Sequence, residues 1–244
     1  MEIVTRPSSL AVPLAGLLGG WRGSLIALSA FVVLSLVAWV LLTRGEAPHA
    51  PPRATIPRLP WRSRTAWLLV AIFALMGAAF YGLNAWLPDA YGERGWSDTK
   101  AGLLLAVMNL AAIASSFVVP WLSERHDRRK PWLLAMSAVF TTGATGFVAL
   151  PWFAFGWATV AGIAQGGLFA LVMTVPLDLE DRPERLGALV AMMLGLGYTL
   201  AAIAPFAFGA VRDATQSFTV VLWVAAGLLA LQFVALLCLP RSRD

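Results

Sequence analysis

Six side chains able to hydrogen-bond or stack stand inside long apolar runs: Tyr81, Asn84, Asn109, Gln165, Phe169 and Tyr198. Tyr81 and Asn84 are three residues apart and share a face if the run is helical, with Gly77 on the same side; Phe169 follows Gln165 by one turn. Phenols, carboxamides and a phenyl ring supply donors, acceptors and flat apolar surface without net charge. That set suits a small neutral or weakly charged solute. The same runs carry no carboxylate or cation at their centres, so a proton relay or an anion-binding arginine has no candidate among them. Each residue also has a structural account. Amides such as Asn109 and Gln165 serve equally well as interhelical hydrogen bonds worth about 0.6 kcal/mol, and Gln232 reads as such a bond to a neighbouring helix.

A second group is charged. Glu124, Arg125, Arg128 and Arg129 lie within 11 residues from Pro120 to Lys130. A carboxylate at a helix end can pair with arginines and with the N-terminus of an adjoining helix. Such a cluster would act as a latch, made in one conformation of a moving bundle and released in another. A plain cationic loop explains the same charges.

Other chemistry finds little footing. His49 and His126 lack metal-ligand spacing. Ser97-x-x-Lys100 matches a nucleophile pattern, but capping by Asp98 at the start of a helix explains it better. No glycine-rich phosphate loop precedes a helix. The lone Cys238 excludes an internal disulfide and reads as a lipid-facing or packing residue. The expectation is a protein that is not an enzyme and takes no cofactor or metal.

The elements holding these residues follow from composition. Of 244 residues, 59% are hydrophobic and 13% charged, against roughly 45–50% and 25% in soluble domains. So few charges cannot cover a soluble fold of this length. Apolar windows run over 24–42, 66–87, 101–122, 132–150, 152–177, 186–211 and 217–239. Each can cross about 30 Å of hydrocarbon at about 1.5 Å per residue. The runs lack the alternation of a β-barrel, so the fold class is an all-α membrane protein with about seven transmembrane helices.

Punctuation refines the windows. Pro88 and Asp89 end the second, Asp98 caps the third, Pro131 opens the fourth, and Pro151 makes the fourth and fifth a tight antiparallel pair. Gly162-x-x-x-Gly166, Ala78-x-x-x-Gly82 and Ala112-x-x-x-Ser116 allow close helix approach. Gly195, Gly197 and Pro205 soften the sixth window, leaving room beside Tyr198.

Residues 43–64 hold five prolines and five arginines and read as a linker without a packed core. The organisation is therefore 1–20, a partial helix (with a weak signal peptide as the alternative); 21–42, a transmembrane helix; 43–64, a linker; 65–240, a six-helix bundle; and 241–244, a tail. Alternate connections share a side. Thirteen of the 18 lysines and arginines fall on the side of 43–64, 125–130, 182–185 and 241–243. That side is placed in the cytoplasm, with the C-terminus. The net charge of +5 is a topology signal, and nucleic acid is not expected as a partner.

The stretch Pro120-Trp121-Leu122-Ser123-Glu124-Arg125-His126-Asp127-Arg128-Arg129-Lys130 resembles the cytoplasmic Gly-x-x-x-Asp-Arg-x-Gly-Arg-Arg motif of the major facilitator superfamily. Glu124 takes the acidic position, Arg125 the adjacent basic one, Arg128 and Arg129 the basic pair; Pro120 and Asp127 replace the glycines. The blocks Phe80-Tyr81-Gly82-Leu83-Asn84-Ala85-Trp86-Leu87-Pro88, Gly162-Ile163-Ala164-Gln165-Gly166-Gly167-Leu168-Phe169 and Gly195-Leu196-Gly197-Tyr198-Thr199-Leu200-Ala201-Ala202-Ile203-Ala204-Pro205 resemble its cyanate and 2-nitroimidazole transporter branch. The resemblance implies helix six, the central linker and helices seven to twelve of a twelve-helix transporter, with an N-terminal half missing. It implies alternating access for a small solute such as cyanate, a nitroimidazole or an organic anion, in a bacterial inner membrane. It also implies a solute site near the bilayer midplane between the halves. A non-transporting remnant or membrane partner subunit is the alternative; a membrane-embedded enzyme is the weaker third.

Overall fold

The computed structural model describes residues 21–43, 58–126 and 129–240, and every regular element among them is helical. One unit of the chain, residues 1–56, contributes helix α1 (Trp21–Thr43). It is apolar from Leu25 to its end, with Ser35 and Thr43 hydroxyls donating to carbonyls four residues back. That habit hides a hydroxyl from lipid without needing a neighbour.

The second unit, from residue 57 onward, is the bundle. Its elements are α2 (Arg64–Glu93), α3 (Asp98–Arg125), α4 (Arg129–Ala149), a 3₁₀ turn (Pro151–Phe153), α5 (Ala154–Leu179), α6 (Pro183–Ala201), α7 (Ala204–Thr215) and α8 (Phe218–Leu237). Counting α6 and α7 as one interrupted crossing, seven segments among the described residues are long and apolar enough to span a bilayer. The chain is a multi-pass membrane protein.

Three boundaries differ from the sequence reading. Helix α2 does not stop at Pro88 but continues to Glu93 with the proline inside it. A proline there forfeits one helical hydrogen bond, which neighbouring helices tolerate far better than lipid tolerates an open loop. The cap of α3 is Ser97, whose hydroxyl accepts from the Lys100 backbone N–H at 3.4 Å, while Asp98 sits in the first turn. The Ser97–Lys100 spacing is thus spent on a helix start, with the lysine ammonium 3.9 Å from the Trp96 ring centroid. The sixth window is broken at Ala202–Ile203, just before Pro205.

The tightest seam joins α3 to α5. A Cβ on Gly162 would overlap the Met108 carbonyl, one on Gly166 the Ala112 carbonyl, and one on Gly167 the Val119 side chain. Ser115 donates across the seam to the Ile163 carbonyl. Lateral packing completes the bundle: Gly82 of α2 meets the Phe208 ring of α7, and Gly146 of α4 meets Trp157 of α5. The α4–α8 contact carries the buried Ser137–Gln232 bond at 2.6 Å, as expected for Gln232. Cys238 is exposed.

Cations close helix ends. Arg94 donates to the Phe147 carbonyl at 2.9 Å, with the Tyr91 hydroxyl at 3.3 Å on the same oxygen. Lys130 donates to the Leu237 and Leu239 carbonyls. The last carbonyls of a helix lack intrahelical donors and carry its negative pole, so both cations hold α4 and α8 in place.

Candidate solute site

Helix α2 presents Phe73, Met76, Gly77, Phe80 and Tyr81 along one stripe at helical spacing. Helix α5 brings Gln165 and Phe169, and α6 brings Tyr198. Together they line a cavity of about 250 Å³. No charged side chain lines it. Phe73 is the hub: its ring meets Tyr198 edge-on at 4.8 Å and lies 6.2 Å from Phe169. Such geometry matches the preference of rings for edge-to-face contact. The Phe73 ring also occupies the space beside Gly197, where a Cβ would come within 2.6 Å of it, so the room left by that glycine is filled by a ring, whereas Gly195 has open space next to it.

The polar groups divide sharply. Gln165 is 9% exposed, and its amide makes no hydrogen bond to the described residues. The Tyr81 and Tyr198 hydroxyls likewise have no protein partner among them, and these two residues open the cavity to the surface at 38% and 41% exposure. Among the described residues the buried side-chain polar atom left without a partner is Gln232 Nε2; the Gln165 amide is not sealed in that way. It faces a cavity instead of a neighbouring side chain, and can offer both a donor and an acceptor to a solute.

Asn84 and Asn109 do something else. The Asn109 amide donates to the Asn84 side-chain oxygen at 3.1 Å and to the Leu105 carbonyl at 2.9 Å; Asn84 donates to the Phe80 carbonyl at 2.9 Å. Both are occupied in joining α2 to α3, and neither lines the cavity. Sequence spacing put Tyr81 and Asn84 on one face but could not say which of them had a partner across the helix boundary. Phe73, Met76 and Phe80 were missed as cavity residues, although their recurrence every three or four positions with Gly77 and Tyr81 was the available signal.

The charged group is arranged around a different acid. Arg129 pairs with Asp178 near the end of α5 and reaches the Thr174 carbonyl at 3.3 Å. Arg125 lies over the Trp121 ring, 3.7 Å from its centroid. Glu124 makes no ion pair among the described residues, and Arg128 lies outside them, as does His49. His126 places Nδ1 2.8 Å from the Leu122 carbonyl of its own helix. Asp178 could be found by eye only as an acid among the basic residues of that side.

An interrupted helical bundle with an uncharged, solute-sized cavity between its spans is the architecture of membrane carriers that bind in mid-bilayer. The sequence matches the Major Facilitator Superfamily over residues 8–158 and 90–244, and the chain belongs to that family. It is 34% identical over 187 residues to the cyanate transport protein CynX of Escherichia coli (strain K12), covering 76% of this chain and 48% of that protein. It is 30% identical over 240 residues to the 2-nitroimidazole transporter of the same organism, covering 97% and 61%. It is 28% identical over 230 residues to the uncharacterized transporter YycB of Bacillus subtilis (strain 168), covering 90% and 56%. All three carry transporter names, and the chain spans about half the length of these curated relatives.

Proposed function

We propose that the chain is the C-terminal half of an alternating-access transporter for a small neutral or weakly charged solute of cyanate or nitroimidazole type. The observation that carries the reading is the Gln165 amide, without a hydrogen-bond partner among the described residues and open to a cavity framed by Tyr81 and Tyr198. In this reading an N-terminal half covers the open side of the cavity, and the two halves rock about it. The solute trades its water for the Gln165 amide, the two phenols and the faces of Phe73 and Phe169. Asn84 and Asn109 keep α2 and α3 together while this happens. The end bearing Arg125, Arg129 and Lys130 lies in the cytoplasm with the C-terminus and the 43–64 linker, following the bias of basic residues. There, Arg129–Asp178 supplies the latch together with Glu124, Arg125 and Arg128 of the same basic stretch of sequence.

The test is uptake of radiolabelled cyanate and 2-nitroimidazole by cells making the chain together with a complementary half. Uptake that falls in Gln165→Ala and Tyr81→Ala at unchanged membrane yield supports the reading. Uptake indifferent to both variants removes the cavity from the transport path. A second reading is a non-transporting remnant or membrane partner that moves nothing itself. No flux with any complementary half would select it.

A further inference from the structure

At the end of the bundle where α2 and α6 begin, a second cavity of about 550 Å³ has a composition opposite to that of the solute site. Arg58 and Arg185, the latter in the first turn of α6, both line it, together with Ser63, Thr65 and Glu180. Neither guanidinium has an ion pair or hydrogen bond among the described residues. Pro60, Leu179, Ala188, Leu189 and Pro240 complete the lining, so cations and hydroxyls lie over apolar surface. The single carboxylate, Glu180, accepts from the Arg182 backbone N–H at 3.3 Å and is not paired with either arginine.

The segment carrying Arg58 is held in shape. Trp61 and Ser63 donate backbone N–H groups to Leu59 and Pro60 carbonyls at 2.9 Å, and Trp67 donates its indole N–H to the Trp61 carbonyl at 2.8 Å. Trp61 and Trp67 are 54% and 43% exposed, with ring centroids 5.9 Å apart. Exposed tryptophans at the ends of membrane helices sit at headgroup level. The cavity therefore lies at the depth where phosphate esters are concentrated.

We propose that this cavity binds the phosphodiester of a membrane phospholipid, with Arg58 and Arg185 holding the phosphate oxygens and the Leu179–Leu189 side taking the start of an acyl chain. Guanidinium is the side chain best matched to phosphate, two donors to two oxygens. The first-turn N–H groups of α2 and α6 add positive potential at the same end. The apolar lining favours an amphiphile over free phosphate, which has nothing to place against Leu179, Ala188 and Leu189. Glu180 disfavours a second negative charge in the same space. The site is separate from the solute cavity and does not depend on how the solute reading fares.

The experiment is lipid retention by the full 244-residue chain, read by native mass spectrometry after delipidation and titration with phosphatidylglycerol, phosphatidylethanolamine or phosphate-free diacylglycerol. A phospholipid should be retained, and Arg58→Gln and Arg185→Gln should each weaken retention by about tenfold. Arg62→Gln removes an exposed cation of the same segment that does not line the cavity, and should leave retention unchanged. Arg185→Lys keeps the charge but loses the paired donors and should give an intermediate loss. Helix content by circular dichroism separates loss of the site from loss of the fold. Diacylglycerol retained as well as phospholipid, or Arg62→Gln weakening retention as much as the cavity variants, would overturn the proposal. So would displacement of bound lipid by inorganic phosphate, which would assign the cavity to the free ion.

Discussion

Helix α5 serves two surfaces that could hardly be less alike. On one it lays Gly162, Gly166 and Gly167 against the backbone and side chains of α3, with no space for even a methyl group. On the other it sets Gln165 and Phe169 at a cavity where the amide has no hydrogen-bond partner among the described residues. The seam is held by close backbone approach, which in lipid replaces the hydrophobic drive absent between apolar helices. The cavity is lined by rings in contact with one another, Phe73 with Tyr198 and Phe169. The difference separates stability from binding along a single helix: changes at the seam should cost the fold, and changes at the cavity should cost the ligand.

The sharpest break of that comparison is Gly166→Val. Its Cβ would overlap the Ala112 carbonyl, so the seam must part, and a destabilisation of about 3 kcal/mol is expected. Thermal unfolding in detergent should show a lower Tm and poor yield of monodisperse protein. Gln165→Ala should do the reverse. It removes no protein hydrogen bond, so Tm should hold, while solute affinity measured with the complementary half falls about tenfold. A lowered Tm with unchanged affinity would return Gln165 to the structural class. Tyr198→Phe keeps the edge contact to Phe73 and removes only the hydroxyl, so about a fivefold loss of affinity is expected. Smallest is the Asn84–Asn109 link. A double-mutant cycle with alanine at both positions should return a coupling of about 0.6 kcal/mol in unfolding free energy and leave solute affinity unchanged.

The seam was legible as small residues at helical spacing, which have one main use in a membrane, but not as a pairing of α3 with α5. The cavity was half legible. Polar residues in apolar runs announced themselves, but Asn84 and Gln165 carry the same functional group, and only the position of Asn109 relative to each leaves one bonded across a helix contact and the other at a cavity. The charged cluster was legible as a place and not as a pairing. Arg129 finds Asp178 49 residues along the chain, and no local pattern joins them.

Composition and hydropathy alone decided that this chain lives in a membrane as helices. Unbroken apolar runs of spanning length leave the backbone no other way to satisfy its hydrogen bonds in lipid. Local sequence also fixed where those helices turn, to within a few residues, with Pro88 the main exception because a proline inside a packed bundle need not end a helix. Which polar groups have partners was decided only by the tertiary structure. A hydrogen bond between helices depends on rotation and depth across a contact, and a helix carries no record of its neighbour's register.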